Sequence, residues 1–579
     1  MLGIFGHGNV CGVGQALEED EGRTMPYVQA KNEQAMVHVA IGFARARHRL
    51  STFACSASIG PGSTNMLTGA AAATVNRVPV LLLPSDTFAT RLQGPPMQAL
   101  DDPARGDLSV NDAFRPLSVF FDRITRPEQL LTALPAAMAA LLDPERTGAV
   151  TLSLHQDVQG EAYDFPEAFF AERTWTVARR PPAEEELEAA VELLRSAQRP
   201  LLVAGGGCVY SDAGGSLRRL AENHGIPVAE TSAGKGAIAG DSRMSVGAIG
   251  HSGTRAANRL ARRADVVLCA GTRLIDLTTG SNTLFEAPGV RFVGLNLSAF
   301  DARKLGALPL QADARLGLER LADALDGTGH RPAEDWLDEI AAGRRDWRAA
   351  LEEDRRPREG ERMSQHQVLH ALNAAGGEGD TLVVASGTPH VDVHKLWDAA
   401  DRGRCLMEVG FSCMGGEIPA ALGVRMAQDD EGEVYALIGD GTYLMGHTEL
   451  VTAVQEGLKV TVVLIDNHGY QSIHALQRGR LDRSFGLEFS ARVDYAGNAR
   501  SYGCAAFEAD TPDEVRQALE AARAQELPSV IVCRTEPHRL ILESECWWDV
   551  GVPEVSTRPE TAAAAARSAE GRSKMRWHG

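Results

Sequence analysis

Strand-like and helix-like patterns of apolar residues alternate along almost the whole chain. Short, nearly continuous apolar runs such as residues 460–465 are typical of strands that are buried on both faces of a parallel sheet. Other segments, such as residues 33–48 behind the plausible N-cap Asn32, place apolar residues at helical spacing. The pattern therefore predicts an α/β protein made of doubly wound parallel sheets.

Two polar, charged stretches interrupt this alternation and divide the chain. Residues 171–186 contain Pro181-Pro182 and many charged side chains, and residues 327–361 are rich in Arg and Glu. Both compositions are typical of connections between folded units. We therefore predict three units and a tail, over residues 1–170, 185–326, 363–550 and 551–579.

The candidate chemistry is concentrated in a strand–turn–helix–strand unit over residues 434–469. Its first strand, residues 434–438, runs into a Gly-Asp-Gly-Thr turn that contains Asp440, and its second strand, residues 460–465, is followed by Asp466-Asn467. Because parallel neighbours end at the same edge of a sheet, we expect these two side chains to lie close together. A carboxylate, an amide oxygen and a nearby backbone carbonyl suit Mg²⁺, and the glycines let backbone N–H groups approach a phosphate. The spacing predicts a site for a magnesium-bound diphosphate, although the Gly-Asp-Gly sequence alone would equally suit a tight turn.

The Gly-Asp-Gly turn, followed across a helix and a strand by a terminal Asn, resembles the signature of the thiamine-diphosphate-dependent enzymes. The resemblance implies that Asp440, Asn467 and the carbonyl of Gly469 bind Mg²⁺. Members of that family often have Asn-Asn where this chain has Asp466-Asn467, which is a mild departure because the ligand is the second residue. The resemblance also implies that the three units are a pyrimidine-binding, a central and a diphosphate-binding domain.

Glu33 and Met414 lie in two further stretches that match the family. In the family, a Glu at the start of a helix hydrogen-bonds the pyrimidine ring and promotes its imino tautomer, and an apolar side chain wedges between the two rings of the cofactor. The resemblance implies these roles for Glu33 and Met414. Taken alone, Glu33 would be an acidic residue that is favourable in a first helical turn, and Met414 a core side chain. The residues that the resemblance assigns to the cofactor are Glu33, Gly387, His390, Met414, Gly415, Gly439, Asp440, Gly441, Thr442, Asn467 and Gly469.

Nearly the whole chain resembles the acetohydroxyacid synthase-like branch of the family and, within it, the hydrolases of inositol catabolism. The stretches that carry this likeness include IFGHGNVCGVGQAL, VNDAFRP, GTPHVDVHKLW and WWDVGVPEVS. The resemblance implies hydrolytic C–C cleavage of a cyclic 1,2-diketone, which opens the ring to an aldehyde acid. His7 and Asn9 stand in a loop where the synthases usually have Tyr-Pro-Gly-Gly, and they suit a polyhydroxylated ring, so we predict Glu33, His7 and Asn9 as catalytic. His468 and His474 are open alternatives for proton delivery.

Two other functions stay open at this stage. A carboligase or decarboxylase of the same superfamily would release carbon dioxide from a 2-keto acid. A non-catalytic homologue that acts as a binding subunit would be expected to lack Glu33 or Asp440, and both are present. Members of the family also carry a further helix ahead of the first strand, whereas this sequence begins at the strand. We therefore expect a shortened start that weakens docking of the first domain or inactivates the protein.

The composition narrows the range of partners. The 579 residues carry 58 basic and 77 acidic side chains, and the net charge of -19 argues against nucleic acid or an anionic membrane as a partner. No apolar run is long enough to span a membrane. The nine cysteines show no Cys-x-x-Cys spacing and predict reduced thiols in a cytoplasmic protein.

The resemblance also supplies the expected cofactors and assembly. It implies thiamine diphosphate and Mg²⁺, and a homodimer or homotetramer with the site between subunits, because Glu33 and Met414 lie in different domains. In the acetohydroxyacid synthases the central domain often holds flavin. Here Gly205-Gly206-Gly207 is not followed by the Gly-x-Gly-x-x-Gly pattern of a dinucleotide loop, so FAD is possible but not indicated.

Overall fold

The computed structural model describes residues 1–377, 379–397, 404–428, 432–537, 539 and 542–578. Within them the chain forms three six-stranded sheets, in which the strands pair in parallel. One sheet lies in each of the three units suggested by the sequence. The prediction of an α/β protein with three parallel-sheet domains is confirmed.

The first domain contains strands β1 (Leu2–Ile4), β2 (Val28–Gln29), β3 (Ala54–Ala57), β4 (Val80–Asp86), β5 (Phe120–Ile124) and β6 (Ala149–His155). Their order in the sheet is β2-β1-β3-β4-β6-β5. The helices are α1 (Gln15–Asp20), α2 (Glu33–Ala46), α3 (Pro61–Asn65), α4 (Leu67–Val75) and α5 (Leu130–Leu141). The side chain of Asn32 accepts a hydrogen bond from the N–H of Ala35 at 3.1 Å, which confirms the predicted N-cap of α2.

The central domain contains strands β7 (Pro200–Ala204), β8 (Val228–Glu230), β9 (Ser245–Ala248), β10 (Val266–Ala270), β11 (Arg291–Leu295) and β12 (Leu308–Leu310). Their order is β12-β11-β10-β7-β8-β9. The helices are α6 (Glu184–Arg195), α7 (Gly206–Tyr210), α8 (Gly214–His224), α9 (Arg255–Arg263), α10 (Asp276–Thr279) and α11 (Ala314–Asp326). The long helix α12 (Glu334–Asp354) fills most of the second polar connection.

The C-terminal domain contains strands β13 (Thr381–Val384), β14 (Arg404–Met407), β15 (Val434–Gly439), β16 (Thr461–Asp466), β17 (Ala505–Ala509) and β18 (Ser529–Arg534). Their order is β14-β13-β15-β16-β18-β17, so that β15 and β16 are neighbours. The helices are α13 (Gln365–Ala375), α14 (Gly387–Leu396), α15 (Glu417–Ala427), α16 (Asp440–Gly446), α17 (Glu449–Gln455), α18 (Gln471–Leu481), α19 (Tyr495–Ser501) and α20 (Pro512–Arg523), and the tail forms α21 (Pro559–Ser573).

The helix expected after the Gly-Asp-Gly turn is divided into α16 and α17. Gly446 ends the first of them, and His447 and Thr448 separate the two. A Cβ atom on Gly446 would overlap the carbonyl oxygen of Gly415, so this glycine admits the loop that carries Met414. The expectation of one continuous helix is wrong, because the close approach of that loop requires glycine, a poor helix former, within the segment.

Helices α2 and α15 pack closely and join the first domain to the third. A side chain at Gly42 would overlap the backbone of Ala420, and a side chain at Gly423 would overlap the backbone of Val39. One hydrophobic cluster runs through both domains, whereas the central domain has clusters of its own. The first and third domains are therefore packed into one body around α2 and α15.

The segment that leads into the tail connects the third domain to the central domain. Trp547 packs on Gly571 of α21, and α21 in turn contacts α18. Trp548 donates a hydrogen bond from Nε1 to Oδ2 of Asp276 at 2.7 Å, and its ring lies 5.3 Å from that of His251. The two tryptophans therefore hold the tail against both neighbours.

The cysteines and the helix lengths complete the description of the fold. All nine cysteines are free thiols, and most are buried. Among the helices in the described residues, none is both long enough and apolar enough to cross a membrane.

Candidate active site

Asp440 and Asn467 lie together at the carboxyl edge of the third sheet. Strands β15 and β16 pair in parallel, with Gly439 opposite Ile465, so Asp440 and Asn467 follow the ends of neighbouring strands within one residue of the same level. This is the arrangement that the strand–turn–helix–strand pattern leads us to expect. The sheet therefore brings the carboxylate and the amide to one point.

Three oxygen atoms converge at that point. Oδ1 of Asn467 lies 3.2 Å from Oδ1 of Asp440 and 3.2 Å from the carbonyl oxygen of Gly469. With the amide turned by 180°, its NH₂ group would donate to both of these acceptors; with its oxygen toward them, the three oxygens can bind a cation. A hard divalent cation is the partner that three such oxygens suit, so these groups can hold Mg²⁺. Among the described residues, no group of three or more His, Cys, Asp or Glu side chains forms an alternative metal site.

The carboxyl group of Asp440 is buried and is held by backbone groups. The N–H of Gly441 donates to Oδ1 at 2.7 Å, and the N–H of Gly469 donates to Oδ2 at 3.1 Å. Burial raises the pKa of Asp440 to about 7, and the nearby charge of Asp466 acts in the same direction, while the backbone donors oppose it. A bound cation would reverse this balance, because its charge is the largest in such a site.

The glycines around Asp440 differ in how much free space lies beside them. Gly469 has a φ of +144°, and a Cβ atom there would overlap the carbonyl oxygen of Leu487. Gly441 lies under the ring of Tyr470, and a Cβ atom built on Gly441 would be 2.6 Å from that ring. By contrast, apart from its own chain neighbours, no described residue has an atom within 4 Å of a Cβ atom built on Gly439. Space for a ligand therefore opens beside Gly439, next to the buried Thr442.

The loop that carries Met414 packs against the start of α16. Gly415 has a φ of +84°, and its carbonyl oxygen meets Gly446, so the partly exposed Met414 lies beside the helix that begins at Asp440. Glu408, just after β14, holds this loop. The sequence analysis missed Glu408; its only signal is an acidic residue directly after an apolar strand.

The carboxylate of Glu408 accepts bonds from three successive amides of that loop. Oε1 accepts the N–H of Phe411 at 2.9 Å and that of Ser412 at 3.1 Å, and Oε2 accepts the N–H of Cys413 at 2.8 Å. Asn76 of the first domain also donates to Oε1, from Nδ2 at 2.8 Å. A single carboxylate therefore sets the path of the backbone up to Met414.

The turn at Gly387 lies at the same edge of the sheet, because β13 is the neighbour of β15. Gly387 has a φ of +84° and starts α14, and the buried hydroxyl of Ser386 has no hydrogen-bond partner among the described residues. The side chain of His390 points elsewhere: its Nε2 lies 3.2 Å from Oγ of Ser232 in the central domain. Burial lowers the pKa of His390 to about 4, so the imidazole is neutral at that interface.

Glu33 lies at the carboxyl edge of the first sheet, as the first residue of α2. Its Oε2 accepts a hydrogen bond from Nδ2 of Asn65, on α3, at 2.9 Å. Gly62, also on α3, is close enough that a Cβ atom on it would lie 3.4 Å from Oε1 of Glu33. The carboxylate is partly exposed and has a fixed orientation.

His7 and Asn9 lie in the loop after β1, and their side chains point in different directions. Asn9 is 1% exposed; its Oδ1 accepts the N–H of Gly6 at 2.9 Å, and its Nδ2 donates to Oγ of Ser56 at 3.1 Å. This geometry gives Asn9 a role in shaping the loop, and its catalytic role stays a prediction. His7 is exposed at the rim of the first sheet.

A separate cavity of about 160 Å³ lies where the three domains meet. Its lining includes the glycine turns of the central domain and five arginines, Arg45, Arg49, Arg77, Arg179 and Arg273. Burial lowers the pKa of Arg49 and of Arg273 from their usual values. These side chains would suit a phosphate-bearing ligand; the sequence leaves FAD possible but does not indicate it.

Comparison with known proteins places this geometry in a family. The chain matches the models of the thiamine pyrophosphate enzyme N-terminal TPP binding domain over residues 5–104, the central domain over 187–321 and the C-terminal TPP binding domain over 385–533. It is 41% identical to the 3D-(3,5/4)-trihydroxycyclohexane-1,2-dione hydrolase of Clostridium tetani, over 96% of this chain and 92% of that protein. It is also 41% identical to the protein of that name from Geobacillus thermodenitrificans and 40% identical to one from Bacillus cereus, in each case over 97% of this chain and 92% of the relative. The resemblance suggested by the sequence motifs is confirmed: the chain belongs to the thiamine pyrophosphate enzyme family.

Proposed function

We propose that this protein is a hydrolase that opens the ring of 3D-(3,5/4)-trihydroxycyclohexane-1,2-dione to 5-deoxy-D-glucuronate, in the cytoplasmic degradation of myo-inositol. The observation that carries the proposal is the convergence of three oxygens, from Asp440, Asn467 and Gly469, in a chain that is 41% identical to hydrolases of that name. The reaction is a C–C bond hydrolysis that depends on thiamine diphosphate and Mg²⁺.

The proposed metal ligands are Asp440, Asn467 and the carbonyl oxygen of Gly469. The donor set is one carboxylate and two neutral oxygens, which suits Mg²⁺ with its preference for oxygen and for retained waters and substrate phosphates. The position of the Asn467 amide supports the assignment, because its end lies 3.2 Å from Oδ1 of Asp440 and 3.2 Å from the carbonyl oxygen of Gly469. The backbone around Gly387, Gly415 and Gly439, with Gly441 and Thr442, would receive the diphosphate.

Thiamine diphosphate, when bound, supplies a carbon nucleophile and an electron sink for the bond that is cleaved. Glu33 would hold a proton at the pyrimidine ring nitrogen, and its bond to Asn65 keeps the carboxylate oriented for that task. Met414 would support the bent form of the cofactor from the loop that Glu408 holds. His390 is left out of this set, because its ring is engaged with the central domain.

The polyhydroxylated substrate would meet the first domain at the loop after β1. His7 is exposed there and can hydrogen-bond a ring hydroxyl or deliver a proton. Asn9 would act indirectly, since its amide fixes the turn that presents His7. This exposed polar loop suits a polyhydroxylated ring, whereas a short keto acid would need a small apolar pocket.

We also propose that the site is completed by a second copy of the chain, in a homodimer or a homotetramer. Glu33 and the oxygen cluster lie on different domains, and large apolar side chains next to the cluster are exposed in the single chain. Leu444 is 40% exposed and Met445 54% exposed on α16, and Phe411 is 41% exposed in the Met414 loop. Exposed apolar groups of this kind, close to a polar site, are typical of a subunit interface.

The experiment follows acid release at constant pH from the trihydroxy-dione, with purified protein, thiamine diphosphate and Mg²⁺. We expect one equivalent of acid per substrate, no carbon dioxide from pyruvate or glyoxylate, and no turnover by a Glu33→Gln variant that melts like the wild type. Glu19→Gln, on the exposed face of α1, is the matched control and should turn over normally. Carbon dioxide release from a keto acid would favour a carboligase, and no reaction with either substrate would favour a binding subunit.

A further inference from the structure

Glu449 bonds the backbone immediately ahead of Glu33. Its Oε1 accepts the N–H of Lys31 at 2.9 Å and the N–H of Asn32 at 2.9 Å. Glu449 starts α17 in the C-terminal domain, 418 residues away from Lys31 along the chain. One carboxylate oxygen therefore fixes two successive peptide groups of another domain.

The carboxylate is fully enclosed, and its second oxygen is also engaged. Glu449 is 0% exposed, and its Oε2 accepts a hydrogen bond from Oγ1 of Thr452 at 2.7 Å. Burial raises the pKa of Glu449, and the bonds from Thr452, Lys31 and Asn32 oppose that shift. A buried acceptor with three donors is costly to replace by an apolar side chain, because each donor would lose its partner.

Two further contacts hold the same stretch against the C-terminal domain. Nζ of Lys31 donates to Oε1 of Gln455, on the next turns of α17, at 2.9 Å. Nε2 of Gln34 lies 3.6 Å from Sγ of Cys413, directly before Met414. The close packing of α2 on α15 restrains the rest of the helix. The start of α2, and with it Glu33, therefore has little freedom to move relative to α17.

We infer that Glu449 is a positioning residue: it sets the place of the Glu33 carboxylate by holding the amides of Lys31 and Asn32. The inference rests on the proposed role of Glu33 toward the coenzyme. Asn32 is the N-cap of α2, so a bond to its N–H fixes both the entry of the chain and the first turn of the helix that bears Glu33. The same α16–α17 segment begins with Asp440. It would therefore fix the position of a metal ligand and, through Glu449, the position of Glu33.

The first measurement needs no coenzyme. In the wild type, the amides of Lys31 and Asn32 should exchange slowly with deuterium, because a buried carboxylate accepts both of them. Glu449→Ala should speed their exchange by at least roughly tenfold. Glu449→Gln should exchange at an intermediate rate, since its amide oxygen can still accept both N–H groups while its NH₂ donates to Thr452. Thr452→Val removes the bond to Oε2 and a 3.5 Å contact with the carbonyl oxygen of Gln29, but neither bond of Oε1, and should leave exchange close to the wild-type rate.

The second measurement is the split of the kinetic constants at saturating Mg²⁺ and thiamine diphosphate. A misplacement of about 1 Å can cost roughly 100-fold in rate, so Glu449→Ala should lower kcat by roughly 10–100-fold with little change in KM. Glu449→Gln should restore most of that rate, and Thr452→Val should lose less than about threefold.

The outcomes separate this inference from the proposed function. The inference would be overturned if the amides of Lys31 and Asn32 exchanged fast in the wild type. It would also be overturned if Glu449→Ala had the same exchange rates and the same kcat as the wild type. If Glu449→Ala does not fold, the wild-type exchange and the Glu449→Gln variant decide. An active Glu33→Gln variant would instead remove the proposed role of Glu33, whatever the exchange data show.

Discussion

Oδ1 of Asn467 faces Oδ1 of Asp440 at 3.2 Å, with the carbonyl oxygen of Gly469 equally close to the amide. Two acceptors at this distance repel each other unless a proton or a cation lies between them. Asp440 is buried, and its carboxylate accepts backbone bonds from both sides of the cluster. The arrangement therefore supports the proposed cation site, in which the protein would supply the ligands on one side.

Replacing Asp440 by Asn should weaken the Mg²⁺-dependent binding of thiamine diphosphate. The substitution keeps the shape and removes the charge, and changes in the outer shell of a metal site alone cost roughly 10–100-fold, so we expect at least that loss. Isothermal titration with the coenzyme, at fixed Mg²⁺ and again after EDTA, measures it. The wild type should show a large difference between the two conditions, and the variant a small one.

Asp466→Asn is the matched control for that substitution. Asp466 is next to Asn467 and contributes to the raised pKa of Asp440, but it is not one of the converging oxygens. We expect a change of no more than roughly a few fold, because Asp466 acts on the cation only through its charge and not as a ligand. Equal losses in the two variants would mean that negative charge in general, and not the oxygen cluster, attracts the cation.

Glu408→Ala should loosen the loop that carries Met414. The change leaves the amides of Phe411, Ser412 and Cys413 without their acceptor, and we expect a loss of about 1–3 kcal/mol in the free energy of unfolding together with weaker coenzyme binding. Urea unfolding and coenzyme titration check the two effects. Asn76→Ala removes only one bond to Glu408 and should have a clearly smaller effect on coenzyme binding. Unchanged binding in Glu408→Ala would show that the loop does not depend on this carboxylate.

Gly423→Ala should drive α2 and α15 apart. A methyl group there would overlap the carbonyl oxygen of Val39, and overpacking of this kind costs about 1–3 kcal/mol in the free energy of unfolding. Thermal or urea unfolding measures the loss. The control is Gly479→Ala on the exposed side of α18, where a Cβ atom would have no described neighbour within 4 Å outside its own helix backbone. This change should raise the free energy of unfolding by about 0.5–1 kcal/mol. A neutral Gly423→Ala would mean that the two helices can separate without cost.

The buried His366 should make stability fall as the pH rises from 6.5 toward 8. Burial by itself would lower its pKa, but the carboxylates of Asp392 and Asp354 on either side raise it to about 9, above the ordinary 6.5. The folded state therefore keeps a proton that the unfolded chain loses over this interval, and the lost stability is roughly 2 kcal/mol. Lys395 also faces this cluster, and burial lowers its pKa to about 8, so it acts in the opposite sense at higher pH.

Chemical denaturation at several pH values gives the free energy of unfolding as a function of pH for the wild type and for His366→Gln. The difference between these two curves measures the contribution of His366. Arg539 and Arg358, which lie near Asp354, keep their charge throughout the interval and do not change the slope. His370→Gln, one turn further along α13 and exposed, should retain the wild-type fall. Parallel curves for the wild type and His366→Gln would show that His366 does not hold the extra proton.

Much of the fold and part of the candidate site can be predicted from the sequence. Alternating apolar patterns indicate the three parallel sheets, and Asn32 marks the start of α2, because these features depend on local periodicity and capping. The approach of Asp440 to Asn467 also follows from the chain alone, since neighbouring parallel strands must end at one edge.

Only the tertiary structure decides which side chains serve that site. Glu408 and Glu449 have no sequence signal, because the amides that they hold lie across a loop or in another domain. Asn9 looks like a polar loop residue in the sequence, yet its amide is buried and forms hydrogen bonds within the first domain. The split between α16 and α17 likewise depends on the approach of Gly415. Periodicity and strand order are properties of the chain's local pattern, whereas the partner of a buried carboxylate depends on how distant elements pack.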